Sequence, residues 1–68
     1  MKTILIIDDE ESIRASLTGI LQDEGFRTLS AESGEQGLSV LKDEDPDLIL
    51  LDIWMPGIDG IETLRKIR

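Results

Sequence analysis

An α/β fold with a parallel sheet is predicted by three features of this 68-residue sequence. Two continuous apolar runs, Ile4-Leu5-Ile6-Ile7 and Leu48-Ile49-Leu50-Leu51, read as strands covered on both faces. Segments with helical apolar spacing follow the strands. The connections between them span only a few residues, which favours a βαβαβα order built from right-handed crossovers.

The first strand is Ile4 to Ile7, rich in β-branched side chains. Beyond Asp9 and Glu10, the residues Ile13, Leu17, Ile20 and Leu21 fall at i, i+4, i+7 and i+8 and form one apolar stripe. Helix one therefore covers roughly Glu11 to Glu24, with Gly25 as its terminator. Phe26 to Ala31 is diluted by Arg27, Thr28 and Ser30, which suits an edge strand. Ser33-Gly34-Glu35-Gln36 reads as a capping box opening helix two, which carries Leu38 and Leu41 on one face and ends near Asp43. Asp43-Glu44-Asp45-Pro46 is a breaker, because proline lacks an amide donor. Leu48 to Leu51, the most apolar stretch, should be the central strand, with Asp52 at its C-terminal end. Asp59 then caps a third helix that places Leu64 and Ile67 inward and runs to Arg68.

Chain length allows one compact unit at most. A domain this short buries only about 60% of the surface that its unfolded chain exposes, so self-association is expected for stability alone. Fifteen acids against seven bases give a net charge of −8 with no basic cluster, which argues against nucleic acid and anionic membranes as partners. Cysteine and histidine are absent, which excludes disulfides, thiolate or imidazole metal sites, and Ser/His or Cys/His triads. Any metal must be held by oxygen. No apolar run approaches the roughly 20 residues of a membrane span and no signal-peptide core is present, so a cytoplasmic location is expected.

What composition does not explain is where the acids stand. Strand one runs into Asp8-Asp9 and strand three into Asp52. Adjacent parallel strands would bring these acids to one sheet edge, where oxygen ligands can hold a divalent cation beside a nucleophile. If strand one lies between strands two and three, the strand order reverses there, and the crevice at that point is the usual ligand site of such sheets. Taken alone, Asp8 and Asp9 suit helix-entry capping and hydration, and Asp52 a polar strand terminus. The turn Met55-Pro56-Gly57-Ile58-Asp59-Gly60 after Asp52 makes the pattern more specific. No glycine series here forms a phosphate-cradling G-x-G-x-x-G or G-x-x-x-x-G-K-[ST] loop.

With Asp8-Asp9, Asp52, Met55-Pro56 and Asp59-Gly60 in view, the chain resembles the N-terminal part of the receiver domain of bacterial response regulators. Phrases such as Leu51-Asp52-Ile53-Trp54-Met55-Pro56-Gly57 look most like receivers of nitrogen-regulation type transcriptional regulators. The resemblance implies a partial flavodoxin-like fold, with a three-stranded sheet of order 2-1-3 and the second half of the domain missing. Residues 1–68 would be a truncated receiver with no effector domain following. The resemblance further implies that Asp52 is the phosphoacceptor and that Asp8, Asp9, Asp52 and the backbone carbonyl of Trp54 hold Mg²⁺. A histidine kinase would be the phosphodonor. Receivers also carry a Ser/Thr and a Lys on later strands; Lys2, Lys42 and Lys66 are poorly placed to replace the latter.

Two functions follow. The first is a phosphorelay receiver module, impaired in phosphorylation and switching by the missing Ser/Thr and Lys. The second is a self-assembling half-domain without signalling chemistry, a homodimer joined through the exposed edge of strand three. An enzyme in its own right is not expected, since no tuned general base or substrate pocket can be named. Helical Leu and Ile stripes are core, and the Trp54 side chain is assigned no role.

Overall fold

The computed structural model describes residues 1–52 and 65–67. Five elements follow one another: β1 (Thr3–Ile7), α1 (Glu11–Asp23), β2 (Arg27–Ala31), α2 (Gly34–Asp43) and β3 (Leu48–Leu51). The strands form one parallel sheet of order β2-β1-β3. The register sets Ile7 beside both Ala31 and Leu51, so all three strands finish level with one another.

The apolar run of β1 is buried from Ile4 to Ile7, as expected of a strand with neighbours on both sides. Leu5, Ile6 and Ile7 are fully buried, each contributing about 2 kcal/mol on removal from water. Successive strand residues face opposite ways. Leu5 and Ile7 join Ala31 in a cluster against which Leu29, Val40, Leu41, Ile49 and Leu51 pack. Among the described strands the most apolar run, expected as the central strand, is not the one that lies between two others. β3 lies at the edge of the described sheet, with Leu48 52% exposed, because only β1 has partners on both sides. Its entry is fixed at Thr3: the Asp47 amide donates to the Thr3 carbonyl at 2.8 Å, and Asp47 Oδ2 accepts from the Thr3 amide at 2.8 Å.

α1 ends where Gly25 adopts φ 90°. The Gly25 amide donates to the Gln22 carbonyl at 3.0 Å and the Phe26 amide to the Leu21 carbonyl at 3.0 Å, a Schellman closure that satisfies the last helical carbonyls. The apolar stripe of α1 is only partly covered; Ile13 is 39% and Ile20 60% exposed, and no α1 residue is fully buried.

At the start of α2, Ser33 Oγ accepts from the Gln36 amide at 3.1 Å, as a capping box requires. Gln36 Oε1 reaches one residue further back than expected and accepts from the Glu32 amide at 2.6 Å. The inward face of α2 also differs from the Leu38/Leu41 expectation: Gly34 and Gly37 are its buried residues, and Val40 packs with Leu41 against the core. Leu38 is half-buried. Gly37 allows the close approach, since a Cβ there would lie 2.5 Å from Ile7 Cδ1.

The expected loop Met55 to Gly60, and Asp59 and Leu64 of helix three, lie outside the described residues. Residues 65–67 are helical, with Ile67 half-buried, in keeping with the late part of that helix.

Candidate functional site

Strand register places the acids. The Asp52 amide donates to the Ile7 carbonyl at 3.0 Å, and the Asp8 amide donates to the Ala31 carbonyl at 3.1 Å. Both ladders therefore run one residue past the strands and carry Asp8 and Asp52 out at the same level. Asp8 is buried, Asp52 half-buried and Asp9 exposed. One carboxylate oxygen from each of the three lies within 4.8 Å of the others.

The turn from β1 into α1 has its own fastening. Asp8 Oδ1 accepts from the Glu10 amide at 2.9 Å, an Asx-type turn. Glu10, the residue before the first turn of α1, makes no side-chain cap bond. Arg14 Nη1 donates to the Asp8 carbonyl at 2.6 Å, while the Arg14 amide donates to the Glu10 carbonyl at 3.1 Å. Arg14 was not among the residues singled out from sequence. The available signal was its place as the one base between Lys2 and Arg27, just after four consecutive acids.

Of the expected site residues, Asp8, Asp9 and Asp52 are brought together. Trp54, whose carbonyl was expected to complete the set, lies outside the described residues. Beside the acids, Ile6, Ile13, Leu17 and Leu50 line an open groove between α1 and the sheet that ends at Asp8 and Asp52. The acids thus border an apolar wall on one side and solvent on the other. Among the described residues no helix is long and apolar enough to cross a membrane.

The donor chemistry fits a hard divalent cation. All three groups are carboxylates, and Mg²⁺ takes oxygen ligands at about 2.0–2.1 Å, so opposite ligands in one sphere stand about 4 Å apart. The observed spread of up to 4.8 Å needs only small side-chain adjustment to meet that. Three carboxylates so close also repel one another, which a cation between them relieves.

A family model described as the response regulator receiver domain matches residues 4–68. The transcriptional regulatory protein AfsQ1 of Streptomyces coelicolor is 47% identical over all 68 residues, which span 30% of its length. The response regulator TrrA of Thermotoga maritima, solved in complex with Mg(2+)-BeF, is 47% identical with a TM-score of 0.95; the match covers 100% of this chain and 59% of that one. TrrA has also been solved in complex with the histidine kinase ThkA, with a TM-score of 0.93. NtrX of Brucella abortus, of the nitrogen-regulation type and solved in complex with ATP, is 42% identical with a TM-score of 0.91, covering 96% of this chain and 15% of that one. The fold, with the expected order β2-β1-β3 in this chain, is shared with the solved receivers, and the chain spans less than two thirds of each relative. A family match that begins inside β1 and continues through the Asp52 strand, on a fold shared this closely, has one reading: the chain belongs to the receiver domains of two-component response regulators, the phosphorelay modules of those systems.

Proposed function

We propose that Asp52 is the phosphoacceptor of this receiver, taking its phosphoryl group from a histidine kinase, and that Asp8, Asp9, Asp52 and the Trp54 carbonyl hold Mg²⁺. The observation that carries this is the meeting of three carboxylates within 4.8 Å at the ends of β1 and β3. An Asp52 oxygen forms the new P–O bond as the P–N bond to the kinase histidine breaks, leaving an acyl phosphate on the chain and the electron pair on the imidazole. The loose transition state of such transfers asks mainly for positioning and charge neutralisation. When bound, Mg²⁺ supplies that neutralising charge. The register of β1 and β3 orients the nucleophile, and the Asp8 turn orients the acid pair. TrrA's complexes with Mg(2+)-BeF and with a histidine kinase support the reading by analogy.

As an isolated polypeptide, the 68 residues contain no counterpart of the later-strand Ser/Thr and Lys of receivers, so we expect slow phosphorylation and weak switching from them. The chain acts as a phosphoacceptor and not as an enzyme in its own right, and a cytoplasmic location suits that role. Incubation with a small phosphodonor, with and without Mg²⁺, tests the assignment by intact mass. One Mg²⁺-dependent phosphoryl group, absent from Asp52→Asn, supports it; equal labelling of the variant refutes it. Labelling at the rate of a longer receiver would refute the slowness alone.

A second reading is favoured by the edge position of β3 among the described strands. A strand edge is a pairing template, and two copies joined β3 to β3 would give a continuous six-stranded sheet. Light scattering at high micromolar concentration tests this: a dimer supports it, and a monodisperse monomer removes it.

A further inference from the structure

We propose that Arg14 is a positioning residue of the acid site, closing the turn that carries Asp8 and Asp9 and so setting the affinity for the divalent cation. The inference rests on the metal reading of those acids. The Arg14 Nη1 donates to the Asp8 carbonyl at 2.6 Å and so ties the first turn of α1 back to the end of β1; the bond from its amide to the Glu10 carbonyl at 3.1 Å belongs to the helix and is kept in any variant. Within that span, Asp8 is also held by the Glu10 amide on its Oδ1 at 2.9 Å. Asp9 has no such fastening. It is exposed and, among the described residues, its carboxylate makes no hydrogen bond or ion pair, so its place beside Asp8 and Asp52 follows from the turn alone.

Arg14 is half-buried, and the bond of its guanidinium to a carbonyl is charge-assisted, hence shorter and stronger than a neutral one. Two effects oppose each other when it is removed. Loss of a positive charge near the carboxylates favours cation binding, whereas loosening of the turn disfavours it. We take positioning to dominate, because the guanidinium is aimed at the turn's backbone carbonyl and groups that orient metal ligands commonly change affinity by about tenfold or more.

The test is a Mg²⁺ titration of the 68-residue chain, read by the fluorescence of its single tryptophan and by calorimetry, with Arg14→Met, Arg14→Lys, Asp9→Asn and the Arg14→Met/Asp9→Asn double variant. Thermal unfolding is run alongside. Arg14→Met should weaken Mg²⁺ about tenfold. Arg14→Lys, which keeps the charge without the fork, should also weaken it. The double variant should lose little beyond Asp9→Asn, since Arg14 acts through that side chain. Lower thermal stability with unchanged affinity would overturn the proposal in favour of a purely structural role, and tighter binding in Arg14→Met would overturn it in favour of charge. A saturable response in the parent chain that Asp9→Asn weakens and that Asp52→Asn, titrated alongside, abolishes upholds the metal reading separately. No saturable response in the parent would remove both.

Discussion

The Asp52 amide donates to the Ile7 carbonyl at 3.0 Å, so the proposed nucleophile is fastened by its backbone to the strand that carries the acid pair. This one bond makes the separation of Asp52 from Asp8 a property of the sheet, leaving little to side-chain choice. A side-chain substitution at position 52 therefore alters chemistry while the register persists.

Asp52→Asn should retain the fold, because the amide that bonds Ile7 is unchanged. Its carboxamide is not a nucleophile, so phosphoryl incorporation should fall to background. Far-ultraviolet circular dichroism beside intact mass checks the pair of outcomes. Loss of the circular dichroism signal would show that the side chain, not the register, holds the strand end.

Gly37→Ala pits two effects against each other. Alanine favours a helix interior by about 1 kcal/mol over glycine. Against this, the new Cβ would sit 2.5 Å from Ile7 Cδ1 and 3.0 Å from Ile7 Cγ1, and Ile7 is fully buried. Overpacking of that kind costs about 1–3 kcal/mol, so a net loss of about 1 kcal/mol is expected. Ile7→Val removes the closest atom but keeps Cγ1, so in its background Gly37→Ala should cost clearly less than in the parent. Urea unfolding of the four proteins in this cycle reads the coupling.

Gly25→Ala separates backbone from packing. Nothing lies within 4 Å of the added Cβ, yet φ is +90°, where L-residues are strained. A loss of about 1–2 kcal/mol is expected from conformation alone. In a domain of this size that lowers the melting temperature by several degrees. Unchanged melting would mean that the Schellman closure contributes little to stability.

Much of this was legible from periodicity and punctuation. The strand runs, the Gly25 stop and the Ser33 cap each act locally, so the chain displays them in short windows. The convergence of Asp8, Asp9 and Asp52 was legible because parallel strands must present their C-terminal ends together. Burial was harder to read. Leu48 to Leu51 is more uniformly apolar than many central strands, but sheet order, which depends on contacts distant in sequence, leaves Leu48 exposed. Gly34 and Gly37 were missed as the inward face of α2 because close approach selects the absence of a side chain, which an apolar pattern does not register. Arg14 escaped for a similar reason, since its partner is a backbone carbonyl that no residue pattern encodes.

The most direct test of the three-acid site is thermal unfolding with and without Mg²⁺ in the parent chain, Asp8→Asn and Asp52→Asn. A cation bound only by the folded state stabilises it by about 1.4 kcal/mol at ten times Kd, which is several degrees in a domain of this size. With the three acids holding the cation, that shift is expected in the parent and should be lost in both variants. No shift in the parent, or an equal shift in Asp52→Asn, would contradict it.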